Sequence, residues 1–227
     1  MTSDISIIIP TLNEQHNLAA LKHVAEQVTE IIVVDGGSSD ATVNTAEELG
    51  FPVFEKKGPG GRGAQLNLGA AQARSDNLLF LHCDTRLPAD FPGAILSCLA
   101  TLGVALGAFS LTVDQKGWAL NTITRWANIR SRILQLPYGD QAFFIRKDTF
   151  ERSGGFPEVP IMEDFMMVKK IKRFGRVKTL PQTVVTSARR WQKLGPFRTT
   201  CVNQLMVLGY YLGVPSERLA AFYRNRK

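Results

Sequence analysis

A chain of 227 residues, 44% hydrophobic and 21% charged, is long enough to bury the core of one α/β domain with a small appendage, and its composition excludes a disordered or fibrous chain. The net charge of +7 is carried by the C-terminal part: from Arg176 to Lys227 there are ten Lys or Arg and one acid, Glu217, so the first 175 residues sum to −2. Such a basic face suits phosphates, an anionic membrane surface or nucleic acid; the sequence has no zinc-finger spacing, RNP-like strand or helix-turn-helix pattern, which argues against nucleic acid.

Strand one is predicted over Ile5 to Ile9 and ends at Pro10, because proline lacks the donor that a central strand needs. A helix from Asn17 to Val28 follows, with Leu18, Leu21, Ala25 and Val28 at helical spacing, and then strand two, Ile31 to Val34. The turn Asp35-Gly36-Gly37-Ser38-Ser39-Asp40 supplies residues free to take positive φ and oxygens suited to cap a helix beginning near Ala41. A short strand, Pro52 to Phe54, precedes the cationic glycine-rich segment KGPGGRG and a helix from Ala64 to Ala73. GPGGRG lacks the lysine-serine ending of a P-loop, so it reads as a mobile loop over a ligand with Arg62 as its useful group.

Strand four is Leu78 to His82, with Asp84 just past its end. A helix from Pro88 or Asp90 to about Leu102 and a strand Val104 to Leu111 come next. Trp118 to Leu136 is an amphipathic helix with Trp126 and Ile133 on its apolar side, and Trp126 and Tyr138 are expected in the core. After Gly139-Asp140-Gln141, which either contacts a substrate or only begins a strand, Ala142 to Ile145 is a strand. Glu163 and Asp164 open a helix ending near Phe174, and separate strands are expected around Val177 and Val184.

Cys83, Cys98 and Cys201 are odd in number, without metal-type spacing or a secretory pattern ahead of them, which predicts reduced, buried thiols and a cytoplasmic compartment. The stretch Cys201 to Val214 is too short and too interrupted to span a bilayer. Phe197, Leu205, Leu208, Tyr211 and Leu212 can share one helical face beside basic flanks, which suits either a closing helix packed on the sheet or a membrane surface.

Three apolar runs lead to acids: Ile5 to Ile9 to Glu14, Ile31 to Val34 to Asp35, and Leu78 to Leu81 to Asp84. Runs of this kind separated by helical segments read as parallel strands buried on both faces, and parallel strands share one C-terminal edge where α/β sheets bind ligands. Acids far apart in the chain are therefore expected around one site, facing a metal, a base or a ribose.

Several segments, in this order, carry a resemblance over nearly the whole chain. SIIIPTLNE, VVDGGSSDAT, GRGAQLNLGA, LFLHCDTRLP and GGFPEVPIMEDFMM resemble the successive motifs of glycosyltransferase family 2, and LHxDTRLP with SARRW resembles a small bacterial subgroup. The resemblance implies the GT-A fold over residues 1–194, a Rossmann-like, mostly parallel sheet flanked by helices. Residues 195–227 would form a basic helical extension packed on that domain or on a membrane surface. It also implies transfer of a sugar from a nucleoside-diphosphate sugar to an acceptor hydroxyl, assisted by Mn2+ or Mg2+, with inversion.

By the resemblance, Pro10, Thr11 and Glu14 line the base and ribose, Asp35 accepts from the base, and Arg62 reaches the base or the phosphates. Asp84 stands where the last acid of the family's DxD lies, but His82 replaces the first. Mn2+ would tolerate an imidazole ligand better than Mg2+, unless strand alternation turns His82 away. Asp164 is the expected base, with Glu163 as its partner or as a complement to the helix dipole. Arg189, Arg190 and Trp191 resemble the element in which an arginine contacts diphosphate and a tryptophan packs at the acceptor side. Without the resemblance, Pro10 and Thr11 are a strand end, Asp35 is a turn acceptor, and SARRW is basic surface.

Two other classes remain open. A sugar-phosphate nucleotidyltransferase would place a glycine-rich, arginine-containing loop directly after strand one, where this chain has PTLNE. A catalytically impaired nucleotide-sugar binder fits the altered DxD but not the intact acid pair. A lipid-linked acceptor and peripheral contact with the inner face of the cell membrane follow from the basic, aromatic C-terminal part.

Overall fold

The computed structural model describes residues 2–58 and 60–224, apart from the side chain of Arg190. Its centre is a mixed eight-stranded sheet in the order β3-β2-β1-β4-β7-β6-β8-β5. The first half alternates strand and helix: β1 (Ser3–Thr11), α1 (Gln15–Leu18), α2 (Lys22–Ala25), β2 (Val28–Asp35), α3 (Thr42–Glu48), β3 (Val53–Glu55), α4 (Gly61–Gln72) and β4 (Asn77–Phe80). These four strands are parallel, so β1, β2 and β4 end on the same edge.

Two-residue alternation on β1 divides the core. Ile5, Ile7 and Ile9 pack on one face with Phe91, Ile95 and Leu99 of α5 (Phe91–Leu99), whereas Ile8 joins Ile32 and Val34 on the other face, against Leu66 and Ala70 of α4. Beyond β4 the chain forms β5 (Thr85–Arg86), β6 (Val104–Val113), α6 (Trp118–Ile133), β7 (Phe143–Arg146), α7 (Lys147–Arg152), α8 (Glu163–Ile171) and β8 (Arg176–Thr186). β7 lies antiparallel to both β4 and β6 and joins the two halves of the sheet.

The chain closes with α9 (Arg189–Leu194), α10 (Pro196–Tyr211) and α11 (Ser216–Arg224). Met206 and Leu219 from these helices are buried with Met162 and Phe165, so α10 and α11 pack beside α8. Among the described residues no helix is long and apolar enough to cross a membrane.

Several elements differ from expectation. β1 runs through Pro10, opposite Val34. Leu81 N–H bonds Ile8 O on the β4 side and Gly36 N–H bonds Thr11 O on the β2 side, so Pro10 turns its nitrogen towards β4 where that ladder has already ended. The helix expected from Asn17 to Val28 is broken by a 3-10 turn, Ala19–Leu21, and Val28 already belongs to β2. Val177 and Val184 lie on one strand, and Pro181 between them is accommodated where the β6–β8 register shifts. Cys83 and Cys98 are buried as expected, but Cys201 is exposed on α10. Trp126 is 67% exposed and Ile133 73%, because the apolar stripe of α6 borders a cleft and not the core.

Candidate functional site

The ends of β1 and β2 are tied together from α4. Gln65 Nε2 donates to Thr11 O at 3.2 Å and to Val34 O at 2.9 Å, which fixes the edge at which Pro10 and Thr11 line a cleft. Asp35 stands behind that edge, 1% exposed. One of its oxygens accepts from Thr11 Oγ1 and Ser38 Oγ, the other from the backbone N–H groups of Gly37 and Ser38, each at 2.7 Å. Burial pushes this carboxyl up, but the hydrogen bonds from Ser38, Gly37 and Thr11 outweigh it and hold the group below its ordinary value. Four donors fill the acceptor sites of a carboxylate, so a base could bond Asp35 only by displacing a turn contact.

On one flank of the edge, Glu14 and Asp84 converge on a single atom. Arg189 Nη2 lies 3.0 Å from Asp84 Oδ2 and 3.5 Å from Glu14 Oε2. Glu14 is further held by Asn17, whose amide donates to the same oxygen, and by its own N–H bonding Thr42 Oγ1 at 2.8 Å. Cys83, between these acids and the core, is a neutral thiol: burial first, then Glu14 and Asp84, push it up to about 12.

The other flank is built around Arg62 at the start of α4. Its Nε donates to Glu163 Oε1 at 2.5 Å and its Nη1 lies 3.0 Å from His82 Nε2. A guanidinium can only donate, so His82 accepts as a neutral imidazole; burial and Arg62 together lower it to about 3. His82 therefore directs Nε2 at a cation, which is unfavourable for the metal-ligand role expected of it. Glu163 is 3% exposed, and burial raises its carboxyl while Arg62 counters that rise. Asp164 lines a cavity of about 170 Å³ together with Arg62, His82 and Glu163, its two oxygens accepting from the N–H of Gly139 and of Phe165, each at 2.7 Å.

Two of the four non-glycine residues with positive φ among the described residues lie here. Met162, directly before the acid pair, has φ +67°, and Ala142, directly after Gly139-Asp140-Gln141, has φ +51°. A side chain on Gly139 would place its Cβ 3.2 Å from Asp164 Oδ2, so this turn lies close against the acid pair.

The two flanks meet in one cleft of about 690 Å³, lined among others by Pro10, Thr11, Glu14, Arg62, Asp84 and Glu163. Arg62, His82 and Glu163 are also walls of the smaller cavity that holds Asp164. Trp191 lies instead on an adjoining cleft between α6 and α10, and the side chain of Arg190 is outside the described residues. Gln65, Lys56, Tyr223 and Arg224 also line these spaces or tie them together, and sequence reasoning missed them. Gln65 sat in the motif GRGAQLNLGA and could have been found there; Tyr223 and Arg224 arrive through the packing of α11, for which the sequence carried no signal.

Among the described residues no three His, Cys, Asp or Glu side chains are placed to hold a metal unaided. Glu14 and Asp84 do offer hard oxygens gathered around a positive charge. A divalent cation whose shell is completed by diphosphate oxygens fits that donor set.

The same architecture occurs in solved structures at low sequence identity. A mannosyltransferase from Pyrobaculum calidifontis in complex with GDP-Man and Mn2+ matches with a TM-score of 0.67 and 18% identity, over 91% of this chain and 63% of that one. S. aureus TarS with UDP-GlcNAc matches at 0.62 and 18%, over 82% and 58%. Glucosyl-3-phosphoglycerate synthase from Mycobacterium tuberculosis, with Mn2+, UDP and glucosyl-3-phosphoglycerate, matches at 0.61 and 16%, over 94% and 81%. These likenesses establish the GT-A fold. A 4,4'-diaponeurosporenoate glycosyltransferase from Staphylococcus haemolyticus is 36% identical over 95 residues, 38% of this chain and 25% of that protein. The chain thus spans a quarter of the length of that curated relative. The sequence model of Glycosyl transferase family 2 matches residues 6–156, two thirds of the chain and every strand end that builds the cleft up to the GGF turn, and the chain therefore belongs to glycosyl transferase family 2.

Proposed function

We propose that the chain transfers a sugar from a nucleoside-diphosphate sugar to an acceptor hydroxyl with inversion at the anomeric carbon. The observation that carries this reading is the meeting of two acid–guanidinium groups, Glu14–Arg189–Asp84 and Glu163–Arg62 beside Asp164, at one edge of the sheet. Neighbours of the same fold hold GDP-Man, UDP-GlcNAc or UDP, two of them with Mn2+, which supports a nucleotide-sugar donor.

In this reading Pro10, Thr11 and Glu14 receive the base and ribose. Asp84 would supply a carboxylate oxygen to Mn2+ or Mg2+ in exchange for its contact with Arg189, and the ion would supply positive charge to the departing diphosphate. Arg189 supports the same charge. Glu163 is neutralised by Arg62 and stays a positioning group, whereas Asp164 opens on the cavity and takes the acceptor proton. The acceptor oxygen bonds the anomeric carbon, the bond from that carbon to the diphosphate breaks, and the diphosphate leaves with the electron pair.

Incubation with a panel of nucleotide sugars and Mn2+ is expected to release nucleoside diphosphate. Asp164→Asn is expected to abolish transfer while nucleotide affinity stays within a few-fold. Retained turnover would remove Asp164 as the base, pyrophosphate release would indicate nucleotidyl transfer, and no release from any donor would leave a binding protein.

The basic C-terminal part and the exposed Phe197, Leu208 and Leu212 support peripheral contact with an anionic membrane surface. Phe197→Ser combined with Leu212→Ser is expected to lower co-sedimentation with anionic vesicles several-fold. Unchanged co-sedimentation removes the membrane contact.

A further inference from the structure

Between α6 and α10 lies a second cleft, of about 600 Å³, whose walls are largely hydrocarbon. Ile123, Ala127 and Ile133 of α6 form one side, Leu111 the floor and Trp191 one end. The opposite side is α10, but the residues it presents there, Thr200, Asn203 and Gln204, are too short or too polar to fill the space against α6. The volume is that of a small-molecule site.

The position of the cleft is as informative as its lining. It shares Tyr138, Asp140 and Asn203 with the cavity that holds Asp164, so the two spaces adjoin at these three residues. At that junction the Arg130 guanidinium carbon stacks 3.4 Å from the centroid of the Tyr138 ring. The cleft is therefore apolar on its α6 side, with polar groups on its α10 side and at Asp140, where it adjoins the cavity of Asp164. At its rim, Trp126 and Ile133 are exposed, an apolar border that a purely polar acceptor would leave in water.

The geometry points to this cleft as the acceptor subsite, and to an acceptor that is an amphiphile: a hydrocarbon chain lying between α6 and α10, with a terminal hydroxyl delivered past Tyr138 and Asp140 to Asp164. The assignment rests on the reading of Asp164 as the base. The acceptor hydroxyl gives its proton to Asp164 as its oxygen bonds the anomeric carbon, and the sugar's bond to the diphosphate breaks. The chain length that fits is set by the cleft, and the apolar rim leaves room for a longer chain to continue outward.

The test uses the full chain, with n-octanol, n-nonanol and n-decanol as probes and 1,4-butanediol as the polar control, followed by calorimetry and tryptophan fluorescence. One alcohol per chain is expected, with affinity rising about fourfold per added methylene and no binding of the diol. Ala127→Trp, which fills the cleft from α6, is expected to weaken n-decanol at least tenfold, and Gln204→Trp fills it from α10 should the first variant fail to fold. Binding of UDP or GDP with Mn2+ is measured on the same samples. Nucleotide binding without saturable alcohol binding, or alcohol binding unchanged in both filled variants, overturns the acceptor assignment and leaves the donor reading standing. Alcohol binding with no nucleotide bound overturns the donor reading and the acceptor assignment with it.

Discussion

Asp35 is buried among neutral donors, whereas Arg62, half-buried, pairs with the buried carboxylate of Glu163, and the two hold the site by different means. Asp35 accepts four hydrogen bonds and has a folded pKa below its ordinary value of 3.8. Its contribution to stability is thus present above about pH 3.8 and lost as the pH falls below it. Asp35→Asn should cost about 2 kcal/mol near pH 7, and in urea titrations the gap from wild type should close as the pH is lowered through 3.8. A gap that stays constant would show that the carboxylate charge is not what the turn needs. Arg62 neutralises Glu163, so Arg62→Met should cost about 3 kcal/mol by leaving a buried carboxylate unpaired, and adding Glu163→Gln should recover most of it. Two purely additive losses would contradict the pairing. Neither arrangement was fully legible in the sequence. The strand ends announced Glu14, Asp35 and Asp84, but Arg62 and Glu163 are 101 positions apart and Asp84 and Arg189 are 105 apart, and no local pattern encodes contacts at that range.

Among the elements, those with a strong period were readable and those shaped by neighbours were not. The apolar runs of β1, β2 and β6 and the starts of α3 and α5 lie close to their expected positions, although the N-cap residues Ala41 and Asp90 make no side-chain capping bond. Pro10 inside β1 and Pro181 inside β8 escaped because a proline is tolerated where its nitrogen has no ladder partner, and that depends on the strand next door. The stripe on α6 was visible, but which way it faced was decided by α10, nearly eighty residues later. The antiparallel β7 likewise depends on a fit between distant residues. Gly107 of β6 stands opposite Phe144, where an added Cβ would lie 1.9 Å from the ring. Gly107→Ala is expected to lower Tm by about 6 to 12 °C through overpacking. An unchanged Tm would mean that β6 and β7 are not so closely apposed.

For the molecule as a whole, one sheet edge gathers what the chain keeps apart. The parallel half of the sheet delivers Pro10, Thr11, Glu14 and Asp84, α4 adds Arg62, α8 adds Glu163 and Asp164, and the C-terminal helices bring Arg189, Tyr223 and Arg224 to the same place. This convergence of parallel strand ends was the most readable property of the sequence, because it follows from strand direction alone. The closing of the site by α9 to α11 was not, since it depends on how the extension packs. Metal-dependent nucleotide binding tests the convergence most directly: calorimetry of UDP and GDP with and without Mn2+ on wild type, Asp84→Asn and Asp164→Asn. Wild type and Asp164→Asn should bind one nucleotide more tightly with Mn2+, and Asp84→Asn should lose that gain. Equal Mn2+ dependence in wild type and Asp84→Asn would contradict a donor site at this edge.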